Sequence, residues 1–365
     1  MTKHELLLDQ ATTPPYGTNV TFPIARYTHL HLTSGTMGEQ LRVLQTAEDW
    51  QTTRRCFALV LSEVGITAAD RVALPFPFGA YLQFWAAAAG VEEVGALALP
   101  LGGLEGRERL RAIAEFEATA IVCTPTYALA LINVAHEWGM EHAFDSVQSV
   151  ICQGEPGASI PAARERIEAA WGARVFDHAG STEVGVFSYP CAAGGGLHVN
   201  GRDFLCEILD ARSGDEAALG AQGELVLSAL SRTGFPAIRF RSGDIVDVAG
   251  PCPGAHRDVW LPNGIVGRTD DMVVVRGVNV FPSVIEQAIR EAGGLGEYRI
   301  RFYTDEAERD EIRLLVEATD PALVRAIETH IVDRLALRVR VVPVMPGVLK
   351  PERLKARRVE DRRSR

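Results

Sequence analysis

Hydrophobic positions recur along the first half of the chain in two alternating rhythms. Short apolar runs at Val72 to Leu74, Ala96 to Leu99, Ala120 to Cys123, Val147 to Cys152 and Arg174 to Phe176 predict strands. Between them lie helix-period patterns. Trp50, Phe57, Leu61 and Val64 share one face of a helix over Thr46 to Val64. Leu110, Ile113, Ala114 and Phe116 mark another over Leu104 to Thr119. Ala163, Ile167, Ala170 and Trp171 mark a third over Ser159 to Trp171, with Pro161 near its start. Strand–helix alternation of this kind predicts an α/β fold, with a mainly parallel sheet covered by helices. Residues 1–27, punctuated by Pro14, Pro15, Gly17 and Pro23, read as an extended leader.

The texture changes after about residue 185. Phe204 to Leu209, Glu224 to Leu227, Ala237 to Phe240 and Ile245 to Val248 predict short strands split by Gly and Asp turns, a small β-rich subdomain. Residues 271–365 change again. A strand over Met272 to Val275 precedes a helix over Pro282 to Ala292 that ends at Gly293 and Gly294. Arg299 to Tyr303, Glu311 to Val316, a helix over Pro321 to Leu335, and Val339 to Val344 complete a compact α+β unit.

Composition narrows the possibilities. The 365 residues are 47% hydrophobic and 23% charged, enough for a sizeable core in two or three domains. A net charge of -10 argues against non-specific nucleic-acid binding. The chain lacks a long uncharged apolar run, so no membrane span and a cytoplasmic location are expected. The six cysteines are scattered, and a disulfide framework is not expected.

Candidate chemistry begins at Thr33-Ser34-Gly35-Thr36-Met37-Gly38, after a strand-like alternation of His29, Leu30, His31 and Leu32. Three hydroxyls and two glycines in six positions suit a loop whose N–H and O–H groups meet a polyphosphate. No Gly-Lys-Ser/Thr follows, so this is not a Walker loop. Four further stretches follow in order: Gln153-Gly154-Glu155-Pro156, Ala179-Gly180-Ser181-Thr182-Glu183, Arg239-Phe240-Arg241-Ser242-Gly243-Asp244, and Gly267-Arg268-Thr269-Asp270-Asp271-Met272 continuing to Pro282. Together they resemble the adenylate-forming superfamily, in its phenylacetate–coenzyme A ligase branch.

The resemblance implies ATP-dependent activation of a carboxylic acid to an acyl-adenylate, then transfer to coenzyme A. It implies a large adenylation domain over 1–269, with the β-rich, barrel-like subdomain at about 186–266, and a small mobile lid over 270–365. The phosphate loop (Thr33, Ser34, Gly35, Thr36, Gly38), Gly154, Glu155, Pro156 and the segment His178, Ala179, Gly180 and Ser181 then line the nucleotide. Glu183 takes the Mg²⁺ position, with Thr182 beside it. Asp244 meets the ribose hydroxyls, Arg268 reaches the ribose or phosphates, and Asp270 is the hinge. Lys355 is the expected catalytic lysine, with Lys350 as competitor.

Several positions depart from the family pattern. Ala179 stands where an adenine-stacking aromatic is usual; either His178 or another ring substitutes, or affinity for the nucleotide is reduced. Met37 removes one hydroxyl from the phosphate loop. Only 27 residues precede Thr28, a shorter leader than the branch's helical one. An amine, a carrier-protein thiol or nitrite is therefore open as an alternative acceptor, as is a non-catalytic ligand-binding role. Phe76, Phe78 and Tyr81, with Phe84 and Trp85, fall where the branch places its substrate helix. Such aromatic density favours an aryl or arylacetic acid over a polar one, with core packing as the competing reading. Some relatives carry a structural zinc, whose counterpart here is Cys191, His198 and Cys252, with His256 as the proposed fourth ligand. The expected partners are thus the acid, ATP and coenzyme A, with a homodimer left open.

Overall fold

A computed structural model describes residues 1–33, 40–155, 158–191, 195–254, 256–269, 273–276, 278–294, 296–305, 309–335, 337–349 and 358–363. The chain divides into two compact units, Met1–Ile265 and Val266–Arg365.

The first unit opens on a helix, Lys3–Thr12, and the expected extended leader is corrected there. Thr2 closes a reciprocal cap: its hydroxyl accepts from Glu5 N and the Glu5 carboxylate accepts from Thr2 N. This helix buries only Leu6 and Gln10. One apolar and one polar residue leave no periodic stripe for a sequence to display.

Five parallel strands form the central sheet in the order Leu97–Pro100, Arg71–Leu74, Ala120–Cys123, Ser149–Cys152 and Arg174–Asp177. Alternate side chains enter opposite layers. Val72, Leu74, Ala120 and Val122 join Phe57, Val60, Leu61 and Val91 of helices Ala47–Glu63 and Leu82–Glu93. Ala73, Ile121 and Cys123 join Leu110, Ile113, Leu131, Ile167 and Trp171 of helices Gly106–Glu115, Pro125–Trp138 and Pro161–Trp171. Helices Ala47–Glu63 and Leu82–Glu93 cross closely at Gly90, where a Cβ would lie 2.7 Å from Phe57 Cβ.

The β-rich part holds an antiparallel set, Phe204–Leu209, Gln222–Ala229 and Phe240–Asp247. A smaller set pairs Ser188–Pro190 with Leu197–Val199 and that with Trp260–Leu261. Two expected strands, Ala237 to Phe240 and Ile245 to Val248, are replaced by the single strand Phe240–Asp247. That strand carries a bulge, which mimics a break in sequence.

In the second unit, strands run in the order Arg340–Val344, Asp310–Glu317, Tyr298–Thr304 and Val359–Asp361. Helices Pro282–Glu291 and Pro321–Leu335 complete its core through Ile285, Ile289, Ile327 and Ile331. Among the described residues no helix is long and apolar enough to cross a membrane.

Candidate active site

Two of the sequence motifs leave the carboxyl ends of neighbouring parallel strands, where open α/β sheets place their ligands, and a third strand beside them leads into Thr124. After Ala120–Cys123, Thr124 caps helix Pro125–Trp138, its hydroxyl accepting from Tyr127 N at 3.1 Å. After Ser149–Cys152, Gly154 adopts φ +86°, a left-handed conformation that glycine takes without strain. The turn brings Glu155 against the same helix start, where its Oε1 accepts from Thr126 N at 2.9 Å. A carboxylate at a helix N-terminus also meets the positive end of the dipole. Pro156 lies outside the described residues.

After Arg174–Asp177 come His178, Ala179 and Gly180. Asp177 accepts from the Ser159 hydroxyl, and burial pushes its carboxyl up to about 6. His178 points inward: it is 4% exposed, its ring meets Phe57 edge-on at 5.1 Å, and Nε2 lies 3.1 Å from Gln153 Oε1. Burial drops it to about 4, so it is neutral near pH 7. A ring enclosed this way does not offer a face to adenine, which leaves another ring or a weaker hold on the nucleotide as the alternatives at this position. Ala179 is half-buried, its N–H donating to Ser188 Oγ at 2.7 Å, and Gly180 is exposed.

Ser181 and Gly185 exchange backbone hydrogen bonds and close a tight turn that presents Thr182 and Glu183. The Ser181 hydroxyl accepts from Val184 N at 3.2 Å. Glu183 is buried, and Lys3 Nζ stands 3.0 Å from its Oε1. Arg232, also buried, donates from Nη1 to the carbonyls of Thr182 at 3.2 Å and Glu183 at 3.0 Å. Burial lowers the Arg232 guanidinium to about 10, and the charges of Asp49 and Glu183 oppose that drop. A buried carboxylate beside a hydroxyl fits Mg²⁺, a hard ion that takes oxygen ligands and keeps several waters.

Thr33 sits at the base of the phosphate-loop hairpin. Strands Tyr27–Leu32 and Arg42–Thr46 pair antiparallel. Beyond them Thr33 N donates to Leu41 O at 3.1 Å, and Leu41 N donates to Thr33 Oγ1 at 3.0 Å. Ser34, Gly35, Thr36 and Gly38 lie outside the described residues. Leu32 N donates to Ala80 O at 2.7 Å, tying the hairpin to the aromatic segment. There Phe76 is buried and stacks on Phe84 at 4.6 Å, while Phe78 and Tyr81 are half-buried. Phe76 is therefore a core residue, with the Phe78 ring 5.4 Å from it and the Tyr81 ring against Phe84.

Asp244 is set by the bulge. Ser242, Gly243 and Asp244 together face Leu225 alone, since Glu224 pairs with Ile245 and Val226 with Arg241. Gly243 takes φ +76°, and Asp244 N donates to Ser242 Oγ at 3.0 Å. Bulges of this kind turn a side chain out of the ladder. Arg268 belongs to the second unit, in strand Gly267–Arg268. Asp270, Lys350 and Lys355 lie outside the described residues.

A second cluster occupies the β-rich part. One donor atom from each of Cys191, His198 and Cys252, all buried, lies within 4.8 Å of the others. The two sulfurs are 3.3 Å apart. His198 Nε2 is buried with no hydrogen-bond partner among the described residues, while its Nδ1 lies 3.3 Å from Asp258 O. Two thiols and an imidazole nitrogen this close together are a donor set that could hold Zn²⁺, with the Asp258 carbonyl against the other ring nitrogen. His256, the expected fourth ligand, is outside this group: Nε2 lies 3.3 Å from Glu63 Oε2 and Nδ1 3.4 Å from the Tyr189 hydroxyl.

A family model described as AMP-binding enzyme matches residues 28–231, more than half of the chain. The chain belongs to the AMP-binding enzyme family. A second model, the AMP-binding enzyme C-terminal domain, matches residues 277–363. With this family, its relatives and its fold goes ATP-dependent activation of a carboxylic acid followed by transfer to coenzyme A. Phenylacetate-coenzyme A ligase of Pseudomonas putida is 28% identical over 362 residues, covering 96% of this chain and 81% of that protein. The Escherichia coli K12 ligase of the same name is 28% identical over 305 residues, covering 82% and 69%. Among solved structures, 2-hydroxyisobutyryl-CoA ligase in its postadenylation state with R3-HIB-AMP is 30% identical. It superposes with a TM-score of 0.90 over 99% of this chain and 79% of that one.

Within this AMP-binding enzyme, sequence reasoning missed Lys3, Gln10 and Arg232. Lys3 carried one signal, the Thr-x-x-Glu capping box around it, which was there to be read. Arg232 carried none, because a lone arginine after a strand is ordinarily solvated.

Proposed function

We propose that this chain adenylates an aryl or arylacetic acid and passes the acyl group to coenzyme A. The observation that carries this reading is the placement of two motifs at the ends of the adjacent parallel strands Ser149–Cys152 and Arg174–Asp177, with the buried carboxylate Glu183 on the turn that follows. In the first step an oxygen of the acid's carboxylate attacks the α-phosphate, the bond to pyrophosphate breaks, and an acyl-adenylate forms. The coenzyme A thiol then attacks the acyl carbon and AMP leaves.

Thr33 and the loop residues Ser34, Gly35, Thr36 and Gly38 are assigned to the β- and γ-phosphates, and Asp244 and Arg268 to the ribose side. Glu183 and Thr182 would hold Mg²⁺, which screens the phosphate charge when bound. Lys355 is assigned to the charge growing between carboxylate and α-phosphate, and Asp270 to the hinge about which the small unit moves. Holding both anions in line supplies much of the acceleration. Phe78 and Tyr81, backed by the Phe76–Phe84 stack, favour a flat apolar acid. Cys191, His198 and Cys252 are assigned to a structural Zn²⁺.

The test is product analysis with Mg·ATP, coenzyme A and separate acids: benzoate, phenylacetate and 2-hydroxyisobutyrate. The expected result is AMP with equimolar acyl-CoA from an aryl acid. Activity confined to 2-hydroxyisobutyrate overturns the acid class. AMP formation without any thioester overturns the acceptor.

A further inference from the structure

Lys3 reaches Glu183 from the start of helix Lys3–Thr12, with Nζ 3.0 Å from Oε1. The carboxylate side chain is 9% exposed and the lysine 34%. Exposed ion pairs are ordinarily loose, because two long side chains must be held in one geometry. Here the helix that carries the lysine is fastened along its length. The Thr2 capping box fixes its first turn. Leu6 is buried in the main core. Gln10 pairs with the Arg42 backbone in both directions: its Nε2 donates to Arg42 O at 2.6 Å, and Arg42 N donates to its Oε1 at 3.0 Å. Upstream, Arg241 N donates to Met1 O at 2.8 Å. Meanwhile Arg232 fixes the Glu183 backbone from beneath. Both ends of the ion pair are thus anchored on separate, well-tied elements.

We propose that Lys3 is a positioning residue that reserves Glu183 for a metal–nucleotide complex by keeping a bare divalent ion off it. This rests on the reading of Glu183 as the Mg²⁺ carboxylate. With Lys3 in place the carboxylate is already neutralised, and a hydrated divalent ion approaching it meets an ammonium of like charge. An ion that arrives on a nucleotide brings the phosphates' negative charge with it, and the ammonium then has an anion to turn towards. Lys3 thereby discriminates between the ion alone and the ion carried by the substrate.

Mn²⁺ binding to the full chain, without nucleotide, tests this through the paramagnetic resonance signal of unbound Mn²⁺. Lys3→Met is expected to tighten Mn²⁺ binding on the order of tenfold over wild type, as loss of one nearby like charge predicts. Lys3→Gln should do the same, and Lys3→Arg should restore wild-type binding by restoring the charge. Adding Glu183→Gln to Lys3→Met should abolish the gain. If neither neutral variant binds Mn²⁺ more tightly, while Glu183→Gln still weakens Mn²⁺ binding in the presence of ATP, the proposal fails and the reading of Glu183 stands. If the gain survives Glu183→Gln, the reading of Glu183 itself falls.

Discussion

Glu183 and His198 are both buried polar groups in the first unit, each beside a candidate cation site, and they are satisfied in opposite ways. Glu183 meets cations of its own chain: Lys3 on its carboxylate and Arg232 on the carbonyls of its turn. His198 presents a buried nitrogen with no partner among the described residues, towards two thiols. Burying an unpaired polar group costs free energy unless something else meets it. The Glu183 turn is therefore charge-balanced by its own chain. The donor set of Cys191, His198 and Cys252 is the one proposed above for a structural Zn²⁺.

The largest expected effect strikes the working site. Glu183→Gln should lower the rate of acid-dependent pyrophosphate release by about 10²–10³, with melting temperature nearly unchanged. Undiminished release would show that the Glu183 carboxylate takes no part in adenylation.

The structural site should behave in the reverse manner. Chelation of the metal, or Cys252→Ser, should lower the melting temperature by about 5–10 °C, with the remaining folded fraction still active. Elemental analysis should find stoichiometric zinc in wild type and none in the variant. Absence of zinc from the wild-type protein would remove the second member.

Arg232→Met sharpens the contrast, because it leaves the Thr182 and Glu183 carbonyls unmet in a buried setting. It should destabilise the first unit by about 1–3 kcal/mol, measured by denaturant unfolding, and reduce activity along with stability.

The smallest effect at neutral pH belongs to His178, a buried imidazole with neither a counter-charge nor a metal. Its folded value near 4 lies below the ordinary histidine value. Between about pH 6.5 and 4 the unfolded chain binds a proton that the folded chain resists, so stability is full above that window and falls on acidification. His178→Gln should flatten the fall of unfolding free energy from pH 7 to pH 5. An unchanged slope would show that His178 titrates normally.

Much of this was readable from residue order. The parallel strands were legible because strands buried on both faces are continuous apolar runs. Helix Ala47–Glu63 was legible from its apolar stripe, and the structure adds the Thr46 cap, whose side chain accepts from Asp49 N. Helix Leu82–Glu93 was visible only through the resemblance, since its Ala-rich sequence is apolar nearly all round. The motifs at Gly154, Gly180 and Asp244 were found through the family resemblance, and Gly154 and Gly243 do take left-handed conformations. What stayed hidden was set by tertiary context. The inward turn of His178 depends on Phe57 and Gln153 from other elements, and Lys3 gains meaning only through a carboxylate 180 positions away.

The most direct test of the account is acid-dependent exchange of labelled pyrophosphate into ATP, which reports the adenylation step without the acceptor. Wild type should exchange with an aryl or arylacetic acid and not without acid, and Glu183→Gln should exchange about 10²–10³ times more slowly. Exchange with no acid tested, or equal exchange by the variant, would contradict it.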